Sequence, residues 1–141
     1  LQKDLGISYL FISHDLAVVR HIAHATAVMY LGRMAARSTS REFWKRPAHP
    51  YVQALKEATP SMEAIRAGLS GHPILEGEIP SALNPPPGCR FSPRCRYGID
   101  ICRRTDPPLR QLNDQSWVAC HRVTVAADGT VEPPEPLPVQ G

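Results

Sequence analysis

An α/β fold that gives way to a small irregular, cysteine-rich extension is predicted for this chain of 141 residues by three observations. The run Ile7-Ser8-Tyr9-Leu10-Phe11-Ile12 has the length and the Ile, Phe and Tyr content of a strand buried in a parallel sheet. Leu16, Val18, Val19 and Ile22 follow at helical spacing, and Thr26 to Leu31 is a second apolar run, so strand, loop, helix and strand succeed one another. Beyond residue 72 the pattern changes: most of the 15 prolines crowd this half, and all four cysteines lie between positions 89 and 120.

Taken in order, Leu1 to Leu5 have the character of a helix tail closed by Gly6, a residue suited to a left-handed cap. With Leu rather than Met in first place, the chain reads as a fragment of something longer. Ser13 or Asp15 caps the helix after the first strand. Gly32-Arg33 is expected to turn the second strand into a short return strand over Met34 to Arg37. Thr39 and Glu42 form a capping box for a short helix whose Phe43 and Trp44 bury against that hairpin, and Pro47 stops it. His49 stands where it caps the next helix, with Pro50 in the first turn and Tyr51, Leu55 and Ala58 on one face, up to Pro60.

Residues 61–88 read as a linker, with a weak helical spacing of Met62, Ile65 and Leu69, then an irregular strap over Gly77 to Gly88 imposed by Pro80, Pro85, Pro86 and Pro87. After Val125 the proline-rich tail lacks a bulky apolar cluster and is expected to be disordered. A net charge of +3 implies no nucleic-acid partner by itself, and no run approaches the roughly 18 apolar residues of a spanning helix.

Cys89, Cys95, Cys102 and Cys120 have the spacing C-x5-C-x6-C-x17-C in a stretch poor in large apolar residues, where a covalent or metal staple would compensate for the missing core. Three chemistries compete. Two disulfides suit a secreted chain rather than reducing cytosol. A tetrahedral zinc usually takes ligand pairs two to four residues apart, closer than these. Four thiolates also suffice for a 4Fe-4S cluster, whose wider core tolerates long spacings. The net negative charge of such a cluster would give Arg90, Arg94, Arg96, Arg103 and Arg104 something to offset, against the plain alternative of a solvated basic face. His121, beside Cys120, is expected to act behind the thiolates or at the surface.

His14 sits at the carboxyl end of the first predicted strand, where ligands of open α/β sheets bind, and an imidazole there reaches a terminal phosphate or its attacking water. No G-x-x-x-x-G-K-[ST] loop occurs anywhere in the chain to hold the other phosphates. His21, His24 and His72 carry no partner pattern and default to surface or packing roles.

Tyr9 to Leu16, Met29-Tyr30-Leu31-Gly32-Arg33, His49-Pro50-Tyr51, Gly77 to Ser81, Asn84-Pro85-Pro86 and Gly88 to Phe91 together resemble the ATP-binding subunits of bacterial dipeptide and oligopeptide ABC transporters, over roughly residues 1 to 122. The resemblance implies an α/β C-terminal end of an ABC-type nucleotide-binding domain, with the switch-histidine loop and the start of the extension, over residues 1–60. The linker follows at 61–88, the cysteine-rich region at 89–122 and the tail at 123–141. It implies that His14 is the switch histidine and that Cys89, Cys95, Cys102 and Cys120 ligate a 4Fe-4S cluster. ATP and Mg would bind only in the full-length parent. The implied partners are a second ATPase subunit, two transmembrane permease subunits and a peptide-binding protein, at the cytoplasmic face of the inner membrane without direct insertion. The phosphate loop, signature motif and catalytic glutamate of that family precede this point, so this stretch alone is expected to be inactive.

Two competing expectations remain at this stage. One is a small zinc-binding nucleic-acid module with Phe91, Tyr97 and the arginines as its contact face. The other is a truncated reading frame without independent activity.

Overall fold

Thr26, Val28 and Tyr30 are buried and alternate with exposed neighbours along β1 (Ala25–Tyr30), the period of a strand with one face on a core. In this computed structural model, which describes residues 2–59, 75 and 77–135, β1 pairs antiparallel with β2 (Arg33–Thr39). Leu31 and Gly32 make the turn, both at positive φ, a conformation that glycine adopts without strain and leucine does not. The turn therefore lies one residue earlier than the predicted Gly32-Arg33. The register slips at Val28/Met29, so Ala35 and Ala36 are buried in succession.

The helices follow their caps. Asp15 Oδ1 accepts from the amides of Ala17 and Val18 at 2.9 and 3.2 Å and starts α2 (Leu16–Ile22), after the short α1 (Gln2–Leu5). Thr39 Oγ1 accepts from the Glu42 amide at 3.4 Å and starts α3 (Ser40–Lys45), whose Phe43 is buried. His49 Nδ1 accepts from the Tyr51 amide at 3.0 Å and starts α4 (Pro50–Ala58).

The expectation of a buried strand over Ile7 to Ile12 is corrected. These residues form no strand, and Leu10 and Ile12 are 93% and 90% exposed. A strand buried on both faces needs neighbours on either side, and the described residues supply none. The helical spacing predicted within the linker lies outside the described residues.

The irregular extension is also corrected. Residues 77–88 carry no helix or strand, but the cysteine-bearing stretch contributes β3 (Arg110–Asn113) and β4 (Ser116–Val118) to the sheet of β1 and β2, in the order β1-β2-β4-β3. Ala36 pairs with Val118 and Ser38 with Ser116. The free edge of β2 is the reason: it offers unpaired backbone groups, and the β3–β4 hairpin satisfies them. A 3-10 turn (Ser92–Arg94) and α5 (Asp100–Arg104) precede this hairpin. The disordered tail is corrected over its first part, because β5 (Thr124–Val125) pairs with β6 (Val131–Glu132) and buries Val131. Residues 136–141 lie outside the described residues.

One core results. Val28, Ala36, Phe43 and Val52 from the first half pack with Val118, Cys120, Val123 and Val131 from the second. Beside it Tyr30, Tyr51 and Phe91 form a ring cluster with centroids 4.8 to 5.3 Å apart, edge-on or tilted, which joins the hairpin, α4 and the cysteine region. Among the described residues no helix is long and apolar enough to cross a membrane.

Candidate functional site

Cys89, Cys95, Cys102 and Cys120 line a single small cavity of about 10 Å³, together with His49, His121 and Arg122. Each thiol is free and arrives from a different element. Cys89 follows the proline strap, Cys95 closes the 3-10 turn, Cys102 lies on α5, and Cys120 follows β4. Gly88 makes the approach possible. A Cβ built there would lie 2.4 Å from the Cys102 carbonyl oxygen and 2.7 Å from the Arg103 carbonyl carbon, distances that only a hydrogen side chain permits. The strap thus runs directly over α5, and the Cys89 amide donates to the Cys102 carbonyl at 2.8 Å.

Burial dominates the acidity of three of these thiols. It pushes Cys89 up to about 11 and Cys95 up to about 12, and raises Cys120, each against partial relief from backbone hydrogen bonds. The other thiols add to the rise at each of the three. In the metal-free chain these sulfurs are protonated at neutral pH, and binding a metal would release their protons. Among the described residues no three His, Cys, Asp or Glu side chains stand at metal-holding spacing. The donor set therefore fits a thiolate-bound centre in kind and in its convergence on one cavity, while the sulfurs are not gathered at ligand distances.

His49 braces the site from behind. It is 3% exposed, its ring tilts against Phe91 with centroids 6.0 Å apart, and burial lowers its pKa to about 4. The ring also hydrogen-bonds the backbone of Ala119, the residue before Cys120. The Ala119 amide already donates to the Ala35 carbonyl at 2.9 Å, so the ring bond runs to the Ala119 carbonyl, with the proton on Nε2 and Nδ1 left to cap α4. His121 Nε2 donates to the Thr105 carbonyl at 2.9 Å, which ties the end of α5 to the residue after Cys120.

The arginines named from the sequence are mostly occupied elsewhere. Arg90 donates to the Leu31 carbonyl of the hairpin turn, Arg94 to the Leu75 carbonyl at 3.1 Å, and Arg96 pairs with Glu57 at 3.2 Å while lying over the Tyr97 ring. Arg103 and Arg104 are exposed on the last turn of α5. Two arginines outside that set also take part in the site. Arg110 donates to the carbonyls of Cys120 and Val123 and lowers the Cys120 pKa, and Arg122 lines the cavity. Only the pairing of β3 with β4 carries Arg110 to Cys120, ten positions away, so spacing held no signal for it.

His14 is exposed on the loop before α2, and Ser13 Oγ accepts from the Asp15 amide at 2.9 Å to close that bend. The capping role expected of Asp15 is the one observed. The nucleic-acid face is corrected: Phe91 and Tyr97 are buried, so neither ring is available to stack on a base.

The family described as "Oligopeptide/dipeptide transporter, C-terminal region" matches residues 37–102, which include three of the four cysteines. The chain is 48% identical over 133 residues to a probable peptide ABC transporter ATP-binding protein of Sinorhizobium fredii, covering 94% of this chain and 37% of that protein. It is 46% identical to the dipeptide transport ATP-binding proteins DppF of Haemophilus influenzae and of Escherichia coli, each covering 87% of this chain and 37% and 36% of theirs. The chain thus spans little more than a third of the length of the curated relatives it matches. Residues 37–102 carry the oligopeptide/dipeptide transporter C-terminal region, and the chain as a whole resembles the ATP-binding proteins of peptide ABC transporters.

Proposed function

We propose that this chain is the C-terminal portion of the ATP-binding, energy-coupling subunit of an ABC importer for dipeptides or oligopeptides, and that its four cysteines hold a 4Fe-4S cluster. The observation that carries the reading is the convergence of Cys89, Cys95, Cys102 and Cys120 on one cavity in a chain whose relatives are peptide-transport ATP-binding proteins. Their thiolates would be the ligands. Among the described residues the sulfurs do not stand at metal-holding spacing, so loading would require the thiols to move. When bound, the cluster would cross-link the strap, the 3-10 turn, α5 and the end of β4, a structural role. His49, Arg110 and His121 position the backbone around Cys120 and α5.

In this reading His14 is the switch histidine that reaches the γ-phosphate of ATP held between two ATPase subunits, with Asp15 fixing its loop through the α2 cap. ATP and Mg bind elsewhere in the longer protein, and these 141 residues alone do not hydrolyse ATP. Two permease subunits, a second ATPase subunit and a peptide-binding protein complete the transporter, which places the subunit peripherally at the cytoplasmic face of the membrane.

The histidine is tested in the full-length subunit assembled with its permeases: His14→Ala is expected to abolish ATP hydrolysis while ATP still binds, and unchanged hydrolysis removes His14 from the mechanism. The cluster is tested by colour. Anaerobically purified chain should be brown, with broad visible absorption, and a colourless zinc protein refutes it.

A further inference from the structure

Cys89 and Cys102 are set apart from the other cysteine pairs by backbone geometry. The bond from the Cys89 amide to the Cys102 carbonyl, 2.8 Å long, joins the two residues directly and puts their Cα atoms on the order of 6 Å apart. That falls within the roughly 4.4–6.8 Å from which a disulfide closes without moving the backbone. Both residues line the same cavity. The close passage of Gly88 over the Cys102 carbonyl leaves the pair little freedom to separate.

Access distinguishes the two sulfurs. Cys89 also lines a second, open cavity of about 190 Å³, walled by Arg33, Met34, Asp106 and Leu109, whereas Cys102 is buried. A small oxidant entering there meets Cys89 first.

We propose that Cys89 and Cys102 form a redox pair, in which a hydroperoxide oxidises Cys89 in the metal-free chain and Cys102 resolves it to a disulfide that withdraws two of the four thiols from the cavity. Once the Cys89 thiol has ionised, its sulfur attacks one peroxide oxygen; the O–O bond breaks, Cys89 becomes a sulfenic acid, and the second oxygen takes up the released proton and leaves as water or alcohol. The Cys102 sulfur then attacks the sulfenic sulfur, the S–O bond breaks, the S–S bond forms, and the hydroxyl departs with the Cys102 proton as water. Two electrons pass from the two thiols to the peroxide. The pair depends on backbone proximity, not on what the four thiols hold, so it stands or falls separately from the cluster.

The test uses the whole chain, stripped of metal, treated with hydrogen peroxide, alkylated at its remaining thiols, and digested with trypsin without reduction for mass spectrometry. A Cys89–Cys102 linked peptide is expected to dominate and to disappear on reduction. Cys89→Ser and Cys102→Ser should each abolish it, and Cys95→Ser should leave it intact. Gly88→Ala, which pushes the strap off α5, should lower its yield. Dominant linkage through Cys95 or Cys120, or overoxidised Cys89 without a cross-link, overturns the proposal.

Discussion

Residues 7–22 and residues 88–123 are held in opposite ways. The first stretch is the more apolar, yet Leu10, Phe11, Ile12, Val18 and Ile22 are exposed and α2 buries none of its side chains. The second is rich in arginine and proline, yet it buries Phe91, Tyr97, Val118 and Val123. Burial belongs to a pair of surfaces rather than to one sequence. The cysteine region has a partner in the β2 edge and in the ring face of Tyr30 and Tyr51, whereas residues 7–22 touch the rest of the chain through the partly buried Leu16 and through Arg20 over the Trp44 ring, and leave most of their other large apolar side chains exposed.

The largest expected effect comes from cutting the cysteine region off its partner. Phe91→Ala removes the ring that joins Tyr30, Tyr51 and His49 and should cost about 3–5 kcal/mol in urea unfolding, the usual range for a buried Phe. Next is the pH dependence at the same contact. His49 titrates near 6.5 in the unfolded chain and near 4 when folded, so between those values the unfolded state binds more protons. Stability should therefore fall as the pH drops from 6.5 to 4 and gain no further loss from His49 below that, about 3 kcal/mol in all. His49→Asn keeps a capping side chain and should remove this part of the slope when unfolding midpoints are compared across that window.

The comparison also shows which parts of the molecule were legible. Caps were readable because each is local: Asp15, Thr39 and His49 act on amides two or three residues away. The hairpin of β1 and β2 was readable from two apolar runs around a glycine turn, to within a residue at the turn. The union of β4 with β2 was not, since Ser116-Trp117-Val118 is short and its partner lies some 80 positions earlier. For the same reason the approach of Arg110 to Cys120 was not legible, whereas Arg122 lies two positions after Cys120 and was within reach of the sequence. The four cysteines were legible as a set, but Gly88, which permits their approach, was not, because its role depends on the backbone of α5 passing over it.

Gly88→Ala sharpens the comparison further. Its methyl group would overlap the Cys102 carbonyl, an overpacking expected to cost about 1–3 kcal/mol in denaturant unfolding. The smallest effect is expected in the other region: Leu10→Ser, at a position 93% exposed, should change the stability of this chain by less than about 0.5 kcal/mol. A large loss there would mean that Leu10 is packed against a partner surface.

The most direct measurement of the cysteine site is the iron, acid-labile sulfide and zinc content of anaerobically prepared wild-type chain beside its Cys102→Ser variant. The account predicts about four irons and four sulfides per wild-type chain, and a marked loss of both in the variant. Zinc without sulfide, or equal metal content in both proteins, would contradict it.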